Sequence, residues 1–135
     1  MPFFPVLLIQ RIQLVSQAFN NEPRIRVVGY SGLTVDFCHK IGAHVIVRGL
    51  RVFSDFEYEF RMALANHRLA SDIEVIALIT AEEHTFLSST TVREIASLHG
   101  DVSSMVPEHV ETALRQRFKE LGDSQQVVPT TSLRD

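Results

Sequence analysis

Apolar residues return along this chain at two spacings, and the alternation between them lays out a series of helices and strands. From Pro5 through Phe19 the spacing is helical, with Leu8, Ile12, Val15 and Phe19 on one stripe and Pro5 suited to a first turn. Asn20 to Pro23 reads as a turn, and Ile25-Arg26-Val27-Val28 as a strand ended by Gly29. Ser31 is placed to cap a helix from Gly32 to about Lys40 that buries Leu33, Phe37, Cys38 and Ile41. His44 to Val47 is the next strand. A longer helix follows from about Ser54 to Leu69, with Phe56, Phe60, Ala63 and Leu64 inward. Ile73 to Ile79, rich in β-branched residues, is a third strand. Ser88 to about Leu98 forms a short helix ended by His99-Gly100. Pro107 to Leu121 forms an amphipathic one with Val110, Leu114, Phe118 and Leu121 on one side, closed by Gly122. Residues 123–135 are polar with little periodicity and read as a disordered tail.

Strands alternating with helices predict an α/β fold, a parallel sheet with helices on both faces, in one domain over residues 6–122. In such folds ligands sit beyond the carboxyl ends of the strands. The Arg48 to Arg51 segment and the Glu82 to Ser88 loop both fall at such ends.

Composition narrows the function. At 135 residues, 45% of them apolar, the chain has material for one core. A net charge of −3 argues against a general nucleic-acid binder. The single cysteine, Cys38, has no internal partner for a disulfide, and the Phe3 to Ile9 run is interrupted by Pro5 and too short to span a bilayer. Both features suit a cytoplasmic protein away from the membrane. There is no Cys/His metal spacing, no GxxxxGK[ST] loop and no GxGxxG fingerprint.

The candidate chemistry lies in two clusters. Arg48-Gly49-Leu50-Arg51 follows the Val45-Ile46-Val47 strand and is followed by Asp55-Phe56-Glu57-Tyr58-Glu59. A guanidinium at a strand exit can fork onto phosphate oxygens, and glycine there lets backbone approach a ligand. Asp55 and Glu59, four apart, share a helix face. The bland alternative is a surface Arg48 paired with Asp55 or Glu57. The second cluster, Ser88-Ser89-Thr90-Thr91-Val92-Arg93, opens a helix whose hydroxyls and N–H groups suit an anion. Only one hydroxyl can be the cap, so three in succession exceed what capping requires. Arg93 has no acidic residue three or four positions away on its helix and reads equally as a solvated charge. Glu57 and Arg61 form an ordinary exposed i,i+4 pair.

Together these residues resemble the phosphopantetheine adenylyltransferases of the nucleotidyltransferase superfamily. The matching stretches are Val47–Arg51, Asp55–Glu59, Phe86–Glu94 and Gly100-Asp101-Val102, within a resemblance running from about Arg11 to about Leu121. It implies a parallel-sheet, Rossmann-like nucleotidyltransferase fold, truncated at its N-terminus. It also implies adenylyl transfer from ATP, with Mg²⁺, to 4′-phosphopantetheine in coenzyme A synthesis. By the same resemblance Arg48 and Thr34 contact the pantetheine substrate. Gly49, Leu50, Arg51, Glu59 and the loop His84, Thr85, Phe86, Leu87, Ser88, Ser89 and Thr90 bind ATP. The family commonly forms homo-oligomers, hexamers above all. Its members open with a Thr/His-x-Gly-His segment whose last histidine contacts the ATP phosphates. The six histidines here, His39, His44, His67, His84, His99 and His109, include none in that frame, so no catalytic residue is assigned.

Two other readings stand beside this one. The first is an inactive remnant that only binds nucleotide or self-associates. The second is a flavodoxin-like regulatory module, disfavoured because the acidic strand ends of a receiver domain are missing.

Overall fold

The computed structural model describes residues 4–122, which form two compact units, one of residues 30–86 and one built from residues 4–29 with 87–122. The expected tail at 123–135 lies outside the described residues. In chain order the elements are α1 (Phe4–Ala18), α2 (Thr34–Ile41), β1 (Val45–Leu50), α3 (Phe53–Leu69), β2 (Glu74–Ile79), a 3₁₀ turn (Glu82–His84), α4 (Ser89–Ser97) and α5 (Glu108–Gly122).

In the unit of residues 30–86, β1 and β2 pair in parallel with Val45 beside Glu74 and Leu50 beside Ile79. Parallel pairing requires a crossover, and α3 supplies it. The ladder is extended at both ends, by the Glu74 N–H to the His44 carbonyl (2.9 Å) and the Thr80 N–H to the Leu50 carbonyl (2.8 Å). The core of this unit is small: Val35 and Cys38 from α2 meet Ala70 and Ile73 between α3 and β2, with Ala43 and Ile46 packed against them. Val35 and Cys38 are three apart, so one turn of α2 delivers both to the same side. Gly42, at φ 72°, ends α2 in the left-handed conformation that glycine adopts without strain. Its N–H reaches the His39 carbonyl at 3.2 Å and that of Ala43 reaches Cys38 at 2.9 Å, which turns the chain into β1.

Several expectations are corrected here. Ile25–Val28 is not a strand. Its β-branched residues fit a pleated surface, but its own unit contains no described strand to pair with, and the Ile25 N–H bonds back to Glu22 at 3.1 Å instead. Ser31 does not cap α2: Leu33 holds that position, with no side-chain bond. Leu33 and Ile41 are exposed, as are Phe56, Phe60 and Leu64, which the helical stripe had placed inward.

Among the described residues of this unit, helices cover only one face of the sheet. Alternate residues share a face, so Val45 and Val47 lie on the same side as Ile76 and Leu78. That side is open, with Val47 59% and Leu78 58% exposed. Parallel sheets are ordinarily covered on both sides, so this is a departure from the expected pattern.

The second unit is helical. Ser88 Oγ accepts the Thr91 N–H at 3.1 Å and starts α4. The helix ends where His99 takes φ 59° and the Gly100 N–H returns to the Ile95 carbonyl at 2.8 Å. Val92 and Val102 are buried. His109 on α5 donates from Nε2 to the Leu14 carbonyl of α1 at 2.8 Å, which fixes its tautomer and ties the two helices. No described helix is long and apolar enough to cross a membrane.

Candidate functional site

The carboxyl end of β1 places two arginines against one face of α3. Arg48 lies on the side of the sheet shared with Ile46 and Leu50, the side that α3 packs on. Its Nε and Nη2 donate to the two oxygens of Glu59 at 2.9 and 2.7 Å, a fork-on-fork pair. The Glu59 carboxylate is only 15% exposed, whereas Arg48 is 51% exposed, so the pair sits at the surface with its acidic half covered. That hydrogen bond raises the pKa of Arg48 and keeps the guanidinium charged. The sequence offered Asp55 or Glu57 as the partner of Arg48; the structure gives Glu59.

Arg51 follows β1, and Asp55 lies in the first turn of α3. Asp55 Oδ2 accepts the Arg51 main-chain N–H at 3.1 Å and Arg51 Nε at 3.3 Å. The backbone bond is the main reason that the Asp55 carboxyl is held below its usual range, with the nearby Arg51 charge adding to it. Asp55 and Glu59 therefore share a face as their spacing required, and each holds one arginine. Glu57 and Arg61 form the expected exposed pair at 3.6 Å.

The other residues singled out in this unit line the same strand ends or the start of α2. Leu50 and Ile79 are register partners, so the carboxyl ends of both strands lie side by side. From Thr80 the chain runs into the Glu82–His84 turn. His84 is exposed with Nε2 at 3.3 Å from Glu83. Thr85 Oγ1 donates to the Glu82 carbonyl at 2.8 Å, and Phe86 is exposed. A Cβ on Gly49 would meet nothing within 4 Å, so the backbone there is open to approach. Thr34 opens α2 with its hydroxyl 2.8 Å from that of Tyr30, whose ring stacks on Phe37 at 4.5 Å between centroids.

Leu87, Ser88, Ser89 and Thr90 belong to the other unit, at the start of α4. Ser88 is the cap, its hydroxyl also donating to Thr91 Oγ1 at 2.9 Å, while Ser89 and Thr90 are exposed on the first turn. Arg93 Nε donates to the Ser89 carbonyl at 3.2 Å, a partner invisible to side-chain spacing because it is backbone. Among the described residues no group of three or more His, Cys, Asp or Glu side chains is placed to hold a metal ion.

The chain is similar to known proteins over most of its length. Residues 5–95 match the family model described as cytidylyltransferase-like. The phosphopantetheine adenylyltransferase of Desulfitobacterium hafniense (strain DSM 10664 / DCB-2) is 46% identical over 111 residues, which cover 82% of this chain and 68% of that protein. The phosphopantetheine adenylyltransferase of Thermomicrobium roseum is 45% identical over 112 residues, 83% of this chain and 67% of the relative.

Proposed function

The chain belongs to the cytidylyltransferase-like family, among the phosphopantetheine adenylyltransferases, and from that premise we propose that it binds ATP and 4′-phosphopantetheine for adenylyl transfer in coenzyme A synthesis. The observation that carries this reading is the carboxyl-terminal half of β1, which runs through Leu50 and not only to Val47, with Arg48 in the strand held by Glu59 and Arg51 just beyond it held by Asp55. In the proposed reaction a phosphate oxygen of 4′-phosphopantetheine attacks the α-phosphorus of ATP in line. The new O–P bond forms as the bond to pyrophosphate breaks, giving dephospho-coenzyme A. Such transfers depend on positioning and on neutralising charge, not on a covalent nucleophile.

Arg48 and Thr34 take the acceptor phosphate end in this reading. Gly49, Leu50, Arg51, Glu59 and residues 84–90 take ATP, with the exposed Ser89 and Thr90 offering a helix N-terminus to phosphate oxygens. Mg²⁺ bound together with ATP would supply neutralisation of phosphate charge. The carboxylates of Asp55 and Glu59 are engaged by arginines, and among the described residues no group of carboxylates is placed as a cation cage. The chain works in the cytoplasm as a homo-oligomer; the open face of Val45, Val47, Ile76 and Leu78 supports association. Light scattering coupled to size exclusion would overturn that part by showing a monomer at all concentrations.

The second reading, a nucleotide binder without turnover, is favoured by one observation: this sequence holds no Thr/His-x-Gly-His segment. Calorimetric titration of ATP into the wild-type chain and into Arg51→Ala and Ser89→Ala tests the site common to both readings. Weaker binding in either variant supports it, and unchanged binding in both removes it.

A further inference from the structure

The Asp55 carboxylate is bound to Arg51 twice, through the backbone and through the side chain, and neither reading of function has given it a task. A guanidinium carries its five N–H vectors in one rigid plane, so a bond at Nε sets the direction of the whole group. Arg51 immediately follows the strand, just past its last ladder bond, from the Thr80 N–H to the Leu50 carbonyl. Asp55 belongs to the first turn of α3, anchored by helical bonds from Val52 onward: the Asp55 N–H itself reaches the Val52 carbonyl at 3.1 Å. One oxygen, Oδ2, therefore clamps both the main chain (3.1 Å) and Nε (3.3 Å) of Arg51 to a rigid element. Its side chain is 26% exposed and that of Arg51 36%, so the clamp is partly screened from water without being closed to a ligand.

We propose that Asp55 is the positioning residue for Arg51: it aims the guanidinium at the phosphates of ATP and touches no ligand itself. The proposal rests on the reading above that Arg51 contacts ATP. Loss of Asp55 frees the strand exit and the side chain together, so the penalty falls on phosphate recognition and not on the nucleoside. Glu59 and Arg48 show a similar pairing one helical turn along, which makes the carboxylate face of α3 a rail for one arginine in β1 and one just beyond it.

The test is a double-mutant cycle read by calorimetry with ATP and, in parallel, with adenosine. Arg51→Ala is expected to weaken ATP binding about tenfold, and Asp55→Ala by a similar factor, while the double variant is no weaker than Arg51→Ala alone. Adenosine affinity is expected to stay within about twofold throughout, since a charge-assisted fork to phosphate is the interaction removed. Asp55→Glu, which keeps the acceptor, recovers part of the ATP affinity. If Asp55→Ala weakens ATP further in the Arg51→Ala background, or weakens adenosine equally, Asp55 does not act through Arg51 and the proposal is wrong. If Arg51→Ala has no effect on ATP, the underlying reading that Arg51 contacts ATP fails instead, and the two failures are told apart.

Discussion

Arg48 and Glu59 meet across the β1–α3 turn as a bidentate pair, Nε and Nη2 each on its own carboxylate oxygen at 2.9 and 2.7 Å. Eleven positions apart in sequence, they join the strand to the second turn of the helix. The two residues fall to different ligands in the proposed reaction, so each ligand meets a group already engaged. Because Glu59 is the covered partner, its removal leaves Arg48 with water to turn to, whereas removal of Arg48 strands a carboxylate. Arg48→Ala is therefore expected to cost more stability than Glu59→Ala, about 1–2 kcal/mol against about 0.5–1 kcal/mol. Urea unfolding of the two variants checks the order.

Turnover by this chain is expected to be very slow. Each missing donor to transition-state charge typically costs about 10²–10³ in rate, and the sequence holds no Thr/His-x-Gly-His segment. A pyrophosphate-release assay with ATP, Mg²⁺ and 4′-phosphopantetheine decides it; brisk turnover would show that the residues present suffice.

The end of α4 offers a stabilising change and a destabilising one side by side. His99 sits at φ 59°, where a side chain is disfavoured, so His99→Gly is expected to gain about 1 kcal/mol. A Cβ on Gly100 would lie 2.5 Å from Ile95 Cγ2 and 3.0 Å from the Ile95 carbonyl, so Gly100→Ala is expected to lose about 1–2 kcal/mol. Opposite shifts in melting temperature are the readout.

Acid should destabilise the protein through a few identifiable carboxylates. Asp55 is held below its usual range chiefly by the Arg51 backbone, Asp72 by His39, and Asp101 by Ser103. A carboxyl depressed in the folded state contributes its full stability above its unfolded pKa, near 4, and loses it as pH falls through the folded value. Unfolding midpoints are thus expected to hold from neutrality to about pH 5 and to drop below about pH 4. The double variant Asp55→Asn/Asp72→Asn should show a shallower acid limb; an unchanged limb would place the sensitivity elsewhere.

Local spacing made most elements legible. The helices from Pro5, Ser54, Ser88 and Pro107 and the strands at Val45 and Glu74 all follow from periodicity, and of the three successive hydroxyls, only one of which could cap, the structure makes Ser88 the one that accepts the Thr91 N–H. What failed needed a neighbour to decide it. Ile25–Val28 has strand composition in a unit with no described strand, and Phe56, Phe60 and Leu64 form an apolar stripe that stays exposed. At the site, the shared face of Asp55 and Glu59 came from a four-residue step, but which arginine each would hold depended on where β1 ends, which spacing does not give. Arg93 found a carbonyl, and main-chain acceptors leave no mark in side-chain pattern.

Cys38 gives the unit of residues 30–86 a built-in clock. It is the only thiol in the chain and is 5% exposed, packed with Val35, Ala70 and Ile73. A thiol reagent can reach it only when that cluster parts, so the labelling rate measures the opening of this unit and is blind to the helical one. With a core of so few buried side chains, the rate is expected to climb well below the temperature at which helical circular dichroism collapses. The interval between the two curves is then a direct measure of how independently the unit of residues 30–86 breathes.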